Sequence, residues 1–331
     1  MSKQKVVVAR MTPGLKESGI FEEYDVFAWE EDRVMPEDIF RQKAAEADGL
    51  YVTSFDPIDI SLLDACPRLR VVSVYAVGVD NVDLPAAVER GVPVGNTPYV
   101  VTEATADMCF ALMLAFSRRL LEGDAYVRAK KWETWSPTLM ISNNVHGKTL
   151  GVVGMGRIGQ AIAKRATGFD MNILYHTRTP RPEAEEKFGC AYVSYDDLLA
   201  RSDIVVMIVP LTEDTHHMMN AASLAKMKKS AVLVNVARGG VVDPKALYDA
   251  LAAKRIRGAA VDVTEPEPIG KDDPLLTLDN FLVAPHVATG TWETREEMTK
   301  VAVDNLRRGM TGESLRYYAN PDVQGRERKF D

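Results

Sequence analysis

The chain of 331 residues is long enough for two domains, and its 46% apolar and 26% charged residues are typical of soluble globular proteins. A net charge of −7 disfavours a nucleic-acid-binding surface, and no stretch approaches the roughly 18 continuous apolar residues that a membrane span requires. The cysteines are far apart and lack CxxC spacing, which argues against a zinc motif or a disulfide framework and fits a reducing cytoplasm. They are Cys66, Cys109 and Cys190.

The first hundred residues alternate short apolar runs with polar-apolar stretches. Continuous apolar runs separated by helical stretches predict a parallel sheet that is covered on both faces. The predicted strands are "KVVVAR", "YDVFAW", "GLYVTS", "LRVVSVYAV" and "VPVGN".

A long apolar stretch follows, from Thr102 to Ala129. Thr102, which is followed by acidic residues, resembles a helix N-cap, so we expect one helix here. The stretch is too apolar for a surface helix, and we place it between domains or in a subunit interface. The next segment, residues 130–148, is called the arm. Its two tryptophans suit a segment that packs on a partner, although a plain surface loop fits equally well.

From Lys148 the alternation of strands and helices restarts. The runs "TLGVVGMG", "MNILYHTR", "DIVVMIVP", "AVLVNVA", "GAAVDVT" and "FLVAPH" predict a second parallel sheet. A helical pattern after His286 has no strand of its own, so we expect it to return to the N-terminal domain. The predicted domains are therefore 1–99 with 288–331, and 100–287, the second including a dimerisation helix and arm at 102–147.

A glycine-rich turn joins the first strand of this second sheet to a helix. Gly154, Gly156 and Gly159 form the pattern G-x-G-x-x-G. The first glycine allows a tight turn, the second lets a pyrophosphate approach the backbone, and the third lets helix and strand pack closely. The helix N-terminus offers N–H groups and a positive dipole end to the phosphates. The pattern predicts a dinucleotide site.

The next strand ends in "ILYHTRTPRP", where such a fold often carries an acidic residue that binds the adenosine ribose. Here Thr177, Arg178 and Thr179 replace it. A guanidinium can pair with a 2′-phosphate, which a carboxylate would repel. We therefore expect NADP(H) to be preferred, with NAD(H) also possible.

Three further strand ends carry side chains suited to chemistry. Arg238 follows "AVLVNVA", Asp262 and Glu267 follow "GAAV", and His286 ends "FLVAPH". Ligands bind at the carboxyl ends of strands in such sheets. An arginine can bind a carboxylate and polarise a carbonyl, and a histidine held in its charged form by an acid can exchange a proton.

Five segments together resemble the D-isomer-specific 2-hydroxyacid dehydrogenase family, over nearly the whole chain. They are "GVDNVD", "GMGRIG", "VNVARGGVVD", "VDVTEPEP" and "APHVATGT". Within the family, the segments around "HTRTPRP" and "WETWSP" look most like the glyoxylate and hydroxypyruvate reductase group. One departure is Ala288-Thr289, where the family usually has a glycine-serine pair after the histidine.

The resemblance implies two doubly wound parallel-sheet domains of the α/β class, with a Rossmann cofactor domain inserted into a flavodoxin-like substrate domain. It implies that Arg238, Glu267 and His286 are catalytic, and it assigns Glu265 to the surface. It implies that the substrate contacts Val77, Gly78, Arg238 and Trp135. Across a homodimer, either Trp135 or Met140 would close the pocket of the partner subunit. The expected cofactor contacts are Thr105, Gly154, Met155, Gly156, Arg157, Ile158, Gly159, Thr177, Arg178, Thr179, Pro210, Thr215, Val236, Ala237 and Asp262.

The expected function is reversible, NADPH-preferring reduction of glyoxylate or hydroxypyruvate to the D-2-hydroxy acid. We expect no metal, nucleic acid or membrane partner. Two alternatives stay open, namely a D-2-hydroxyacid dehydrogenase for another substrate and a dinucleotide-sensing protein that resembles the corepressors of this fold.

Overall fold

The structure, a computed structural model, describes residues 3–330. Its strands are β1 (Lys5–Val8), β2 (Asp25–Ala28), β3 (Gly49–Val52), β4 (Val71–Val74), β5 (Val94–Gly95), β6 (Thr149–Val153), β7 (Asn172–His176), β8 (Ala191–Tyr192), β9 (Ile204–Met207), β10 (Val232–Asn235), β11 (Gly258–Val261) and β12 (Phe281–Val283). Its helices are α1 (Ile20–Glu23), α2 (Glu37–Ala44), α3 (Ile60–Ala65), α4 (Leu84–Glu89), α5 (Thr102–Ser117), α6 (Leu120–Arg128), α7 (Arg157–Thr167), α8 (Pro182–Phe188), α9 (Tyr195–Arg201), α10 (Ala221–Lys226), α11 (Pro244–Ala252) and α12 (Trp292–Thr311).

The chain divides into two units, which are Met1–Val101 with Gly290–Asp331, and Thr102–Thr289. The first unit contains a five-stranded parallel sheet in the order β2-β1-β3-β4-β5. This order is that of flavodoxin-like folds. β3 and β4 are buried at every residue, as expected for parallel strands covered on both faces. The predicted fold of this part is confirmed.

The long helix α12 packs on the first sheet, against β3 and β4. The hydroxyl of Ser73 donates a hydrogen bond to the carbonyl of Ala302 at 2.7 Å. A Cβ on Gly309 would lie 2.4 Å from the Cβ of Val71, so only glycine permits the helix to approach β4 this closely. The last helix therefore completes the core of the unit that contains the N-terminal strands.

The second unit contains a seven-stranded parallel sheet in the order β12-β11-β10-β9-β6-β7-β8. When the strands of this unit are renumbered in chain order from β6 as 1, the order read from the β8 edge is 3-2-1-4-5-6-7. This is the doubly wound Rossmann order, and its switch point lies between β6 and β9. The predicted Rossmann sheet is confirmed. The edge strand β8 was not predicted, because a pair of exposed residues carries no apolar run.

The apolar stretch from residue 102 forms two helices, so the prediction of one helix was wrong. α5 ends at Ser117, and Arg119 adopts a left-handed conformation with φ of 53° before α6 begins. α5 contributes to the core of its own unit and packs on α7, β10 and β11, which explains its apolar composition. α6 has no buried residue. Among residues 3–330, no helix is both long and apolar enough to span a membrane.

Candidate active site

The glycine-rich turn, residues 154–159, lies between β6 and α7 at the switch point of the second sheet. Gly154 has φ of +107°, and a Cβ on Gly159 would lie 2.1 Å from the carbonyl oxygen of Gly154. By contrast, a Cβ on Gly156 would meet no atom within 4 Å. Gly156 is also the N-cap of α7, and no side chain caps the helix there. The turn thus presents helix N–H groups to open space, which fits a bound pyrophosphate.

The segment after β7 is held by its own hydrogen bonds. The hydroxyl of Tyr175 donates to Glu185 at 2.7 Å and accepts from the N–H of Arg181 at 2.7 Å. The hydroxyl of Thr177 donates to the carbonyl of Thr179 at 2.6 Å. Arg178 is exposed and makes no hydrogen bond or ion pair with any residue in the range 3–330. Its guanidinium is therefore available to an anion.

A buried asparagine shapes the turn that carries Arg238 at the end of β10. The Asn235 side chain accepts a hydrogen bond from the N–H of Ala237 at 3.0 Å and donates one to the carbonyl of Arg238 at 2.9 Å. The Arg238 guanidinium also donates to the carbonyl of Ala237 at 3.0 Å. A Cβ on Gly239 would lie 1.8 Å from the carbonyl oxygen of Thr264, so this turn packs directly on the loop after β11.

That loop brings the predicted acid to the predicted histidine. Nδ1 of His286 is hydrogen-bonded to Oε1 of Glu267. The side chains are 30% and 21% exposed, so the pair is partly shielded from water and still accessible. Because Nδ1 contacts the carboxylate, proton exchange with a substrate would use the other ring nitrogen, Nε2. This is the arrangement of a general acid–base that is oriented by an acid.

Asp262, which is 1% exposed, fixes the backbone around this histidine. Its two carboxylate oxygens accept the N–H groups of Val287 at 2.8 Å and Ala288 at 2.7 Å. Its carbonyl accepts the N–H of His286 at 2.8 Å, and His286 has a left-handed φ of 54°. Burial raises the pKa of Asp262, and the two N–H groups act in the opposite direction by stabilising the carboxylate.

The other predicted cofactor residues have varied surroundings. Thr105 lies buried in α5, and the hydroxyl of Thr215 donates to the carbonyl of Pro210 at 2.6 Å. Several are buried within the second unit: Met155, Gly159, Val236 and Ala237. Others are exposed or half-buried: Arg157 and Ile158.

The predicted substrate residues are not all in one unit. Val77 and Gly78 belong to the first unit, in the loop after β4, where the amide of Asn96 donates to the Val77 carbonyl at 2.8 Å. Arg238 and Trp135 belong to the second unit. Trp135 is 76% exposed in the arm, and no described residue buries it.

Glu265, which was assigned to the surface, has a side chain that is 37% exposed. It is hydrogen-bonded to His217, and His216 lies 3.5 Å from it. Sequence reasoning missed this cluster, because two adjacent histidines in a loop give no sign of which acid they face. The only available signal was that they follow the predicted cofactor loop.

A Rossmann sheet with a glycine-rich turn and an acid–histidine pair at its carboxyl edge is the arrangement expected of a nicotinamide-dependent oxidoreductase. The sequence profile described as "D-isomer specific 2-hydroxyacid dehydrogenase, NAD binding domain" matches residues 110–288. The chain belongs to the D-isomer-specific 2-hydroxyacid dehydrogenase family, glyoxylate reductase group, and is an NAD(P)-dependent enzyme.

Similar proteins cover the whole chain. The glyoxylate reductase of Korarchaeum cryptofilum is 45% identical over 322 residues, 97% of each chain. A Thermus thermophilus protein of known crystal structure is 41% identical, with a TM-score of 0.90, over 96% of this chain and all of that one. An NADPH-dependent glyoxylate/hydroxypyruvate reductase from Sinorhizobium meliloti, solved with NADP and malonate, is 32% identical with a TM-score of 0.85 over 100% of both chains.

Proposed function

We propose that this enzyme reduces glyoxylate, and also hydroxypyruvate, to the D-2-hydroxy acid with NADPH as the preferred cofactor. The contact between Glu267 and His286 carries the proposal, because 2-oxo acid reduction requires a proton donor at the carbonyl oxygen. The 45% identity to a glyoxylate reductase supports glyoxylate as substrate. The similarity to a glyoxylate/hydroxypyruvate reductase supports hydroxypyruvate.

The proton step follows from the geometry of the pair. A bound reduced nicotinamide supplies the hydride to the carbonyl carbon. Glu267 fixes the orientation of the His286 ring through Nδ1, so that Nε2 faces the substrate and gives its proton to the carbonyl oxygen. Arg238 stabilises the negative charge that develops on that oxygen. In the oxidative direction the same histidine accepts the proton from the hydroxyl.

The substrate carboxylate requires donors of its own. We assign this role to Arg238 and to backbone N–H groups at Val77 and Gly78. An arginine suits a carboxylate because its planar fork donates two parallel hydrogen bonds. The turn that carries Arg238 is fixed by Asn235 and Gly239, so the guanidinium starts from a defined backbone position.

Preference for NADPH rests on the segment after β7. Arg178 is exposed and makes no hydrogen bond or ion pair within residues 3–330, and no acid follows β7 until Glu183. The hydroxyl of Thr179 can add a hydrogen bond to a 2′-phosphate, and that of Thr177 can do so by exchanging its bond to the Thr179 carbonyl. The relative solved with NADP supports the same preference.

The test compares kcat/KM for glyoxylate and hydroxypyruvate with NADPH and with NADH. We expect NADPH to be favoured, and Arg178→Ala to lower kcat/KM for NADPH about 10- to 100-fold, which is the loss of a charged hydrogen bond. The matched control is Arg201→Ala, another exposed arginine of the second unit. Equal use of both cofactors would refute the NADPH preference. A chain that binds dinucleotide but reduces no 2-oxo acid would refute the proposed activity and favour a dinucleotide sensor.

We also propose a homodimer built on α6 and the arm. Large apolar side chains there are half to three-quarters exposed, which is unusual for a surface without a partner. They are Leu120, Leu121, Val127, Trp132, Trp135 and Ile141.

Analytical ultracentrifugation tests the dimer directly. We expect a species of twice the chain mass of 36.6 kDa. Leu121→Asp should shift it to monomer, because a charge would be buried in an apolar interface. Leu276→Asp, at a similarly exposed leucine elsewhere in the unit, should leave it unchanged. A monomeric wild-type chain would refute this proposal.

A further inference from the structure

Three side chains outside the predicted catalytic set converge at the carboxyl edge of the second sheet. His216 and His217 lie in the loop after β9, and Glu265 lies in the loop after β11. Nε2 of His216 is 3.5 Å from Oε1 of Glu265, and Nε2 of His217 is hydrogen-bonded to Oε2. The two rings are stacked, with centroids 3.8 Å apart and planes 22° from parallel. The ligand atoms all lie within 4.8 Å of one another.

The backbone of two loops holds this cluster in place. The N–H of His217 donates to the carbonyl of Gly240 at 2.8 Å, and that of His216 donates to the carbonyl of Thr212 at 2.8 Å. A Cβ on Gly240 would lie 3.3 Å from Oε1 of Glu265, so the glycine turn after Arg238 also leaves room for the carboxylate. The backbone positions of the two histidines are therefore determined by main-chain hydrogen bonds.

The cluster is open to solvent as well as fixed. The side chains of His216, His217 and Glu265 are 50%, 33% and 37% exposed. An ion can reach the ligand atoms without any rearrangement of the core. Partial burial also limits the competition of water for the ligands, because each side chain keeps only part of its hydration.

The ligand set suits a transition-metal cation. Two imidazole nitrogens and a carboxylate are a common zinc set, with metal–ligand distances of about 2.0–2.2 Å, which puts tetrahedral ligand atoms about 3.4 Å apart. His216 and Glu265 already have this separation. The His217 ring needs to shift away from Glu265 and to tilt out of its stack with His216, so that the ion takes the place of the hydrogen bond between His217 and Glu265. A water would complete the coordination.

We propose that His216, His217 and Glu265 form a binding site for one Zn²⁺ ion. The site bridges the loop that contains Pro210 and Thr215 to the loop that carries Glu267. Glu265 is two residues before Glu267, and the N–H of Thr264 donates to Oε2 of Glu267 at 3.4 Å. A bound ion therefore joins two loops of the second unit and stabilises that unit. The site does not depend on the proposed substrate or cofactor.

Isothermal titration of the metal-free chain with ZnCl₂, without cofactor or substrate, tests the proposal. We expect one ion per chain. His216→Ala and Glu265→Gln should each weaken zinc binding at least tenfold, because each removes one of three protein ligands. The matched control is His146→Ala, at a histidine that is 70% exposed and faces a single aspartate. It should leave the affinity unchanged.

Two further measurements make the result unambiguous. Glu267→Gln should retain wild-type zinc affinity, which locates the ion away from the predicted catalytic pair. Zinc should also raise the thermal midpoint of the wild type and of His146→Ala, but not that of His216→Ala, whose exposed ring can be removed without loss of core packing. Zinc affinity that survives His216→Ala and Glu265→Gln would overturn the proposal. So would affinity lost only in Glu267→Gln, or no binding at millimolar zinc.

Discussion

Asp262→Asn tests how the position of His286 is maintained. The carboxylate is 1% exposed, and each of its oxygens accepts one backbone N–H, from Val287 at 2.8 Å and Ala288 at 2.7 Å. An asparagine has one acceptor oxygen, so one of the two N–H groups must face an amide N–H. The substitution therefore removes a bond to a charged acceptor and leaves a buried donor without a partner.

The magnitude follows from these contacts. A hydrogen bond to a charged group contributes about 1.5–3 kcal/mol, and an orphaned buried donor costs about 1–3 kcal/mol. Burial raises the pKa of Asp262, so a neutral amide recovers part of this loss. We expect a net destabilisation of about 2–3 kcal/mol, or about 4–12 °C in the thermal midpoint of a unit of this size. We also expect kcat to fall about 100-fold, because His286 loses its defined backbone position.

The assay combines thermal unfolding with steady-state reduction of glyoxylate. Asp243→Asn is the matched control, since the Asp243 carboxylate caps α11 through a single N–H, that of Ala246 at 3.0 Å. Asparagine is as good an N-cap as aspartate, so this variant should differ from wild type by less than about 0.5 kcal/mol. If Asp262→Asn unfolds within about 1 °C of wild type, roughly the scatter of such a measurement, the reasoning about the two N–H groups is wrong.

Three other predictions follow from single contacts. Gly239→Ala should yield little folded or active protein, because its Cβ would lie 1.8 Å from the Thr264 carbonyl oxygen; wild-type yield and activity would refute this. Burial raises the pKa of Cys109 to about 12, so a thiol reagent at about pH 8 should label it only in denaturant. The Arg41 guanidinium holds the pKa of Asp59 well below its usual range, so this pair stabilises the fold above about pH 4 and less as the pH falls. The difference in unfolding free energy between wild type and Arg41→Ala, measured by urea titration, should therefore shrink in acid. The pair should contribute less than about 1 kcal/mol in total, because Asp59 is partly exposed.

The sequence predicted the sheets well because burial on both faces leaves a direct trace. Strands such as β3 and β9 are apolar at nearly every position, and glycine, proline and polar residues separate them from the helices. The pattern failed where tertiary contacts decide the conformation. The break between α5 and α6 falls at Arg119, where the sequence has no glycine or proline to mark it. α5 packs on the second sheet, whereas α6 has no buried residue.

The candidate site was predictable to the extent that motifs fix local backbone. Gly154 and Gly159 need their close approaches wherever the turn occurs, and Arg238 and His286 each follow a strand, so their shared edge could be inferred. The dual role of Asp262 could not be inferred, because its two N–H partners lie 25 and 26 residues away. The partners of Glu265 were hidden for the same reason.

The most direct test of the account is the rate of glyoxylate reduction by His286→Ala, measured together with NADPH affinity by fluorescence titration. The account predicts that kcat falls about 10²- to 10⁴-fold, the usual contribution of a general acid, while the dissociation constant for NADPH changes less than about twofold. Glu267→Gln should lose part of the same activity and leave NADPH affinity unchanged. Wild-type turnover by His286→Ala would contradict the assignment of His286 as proton donor.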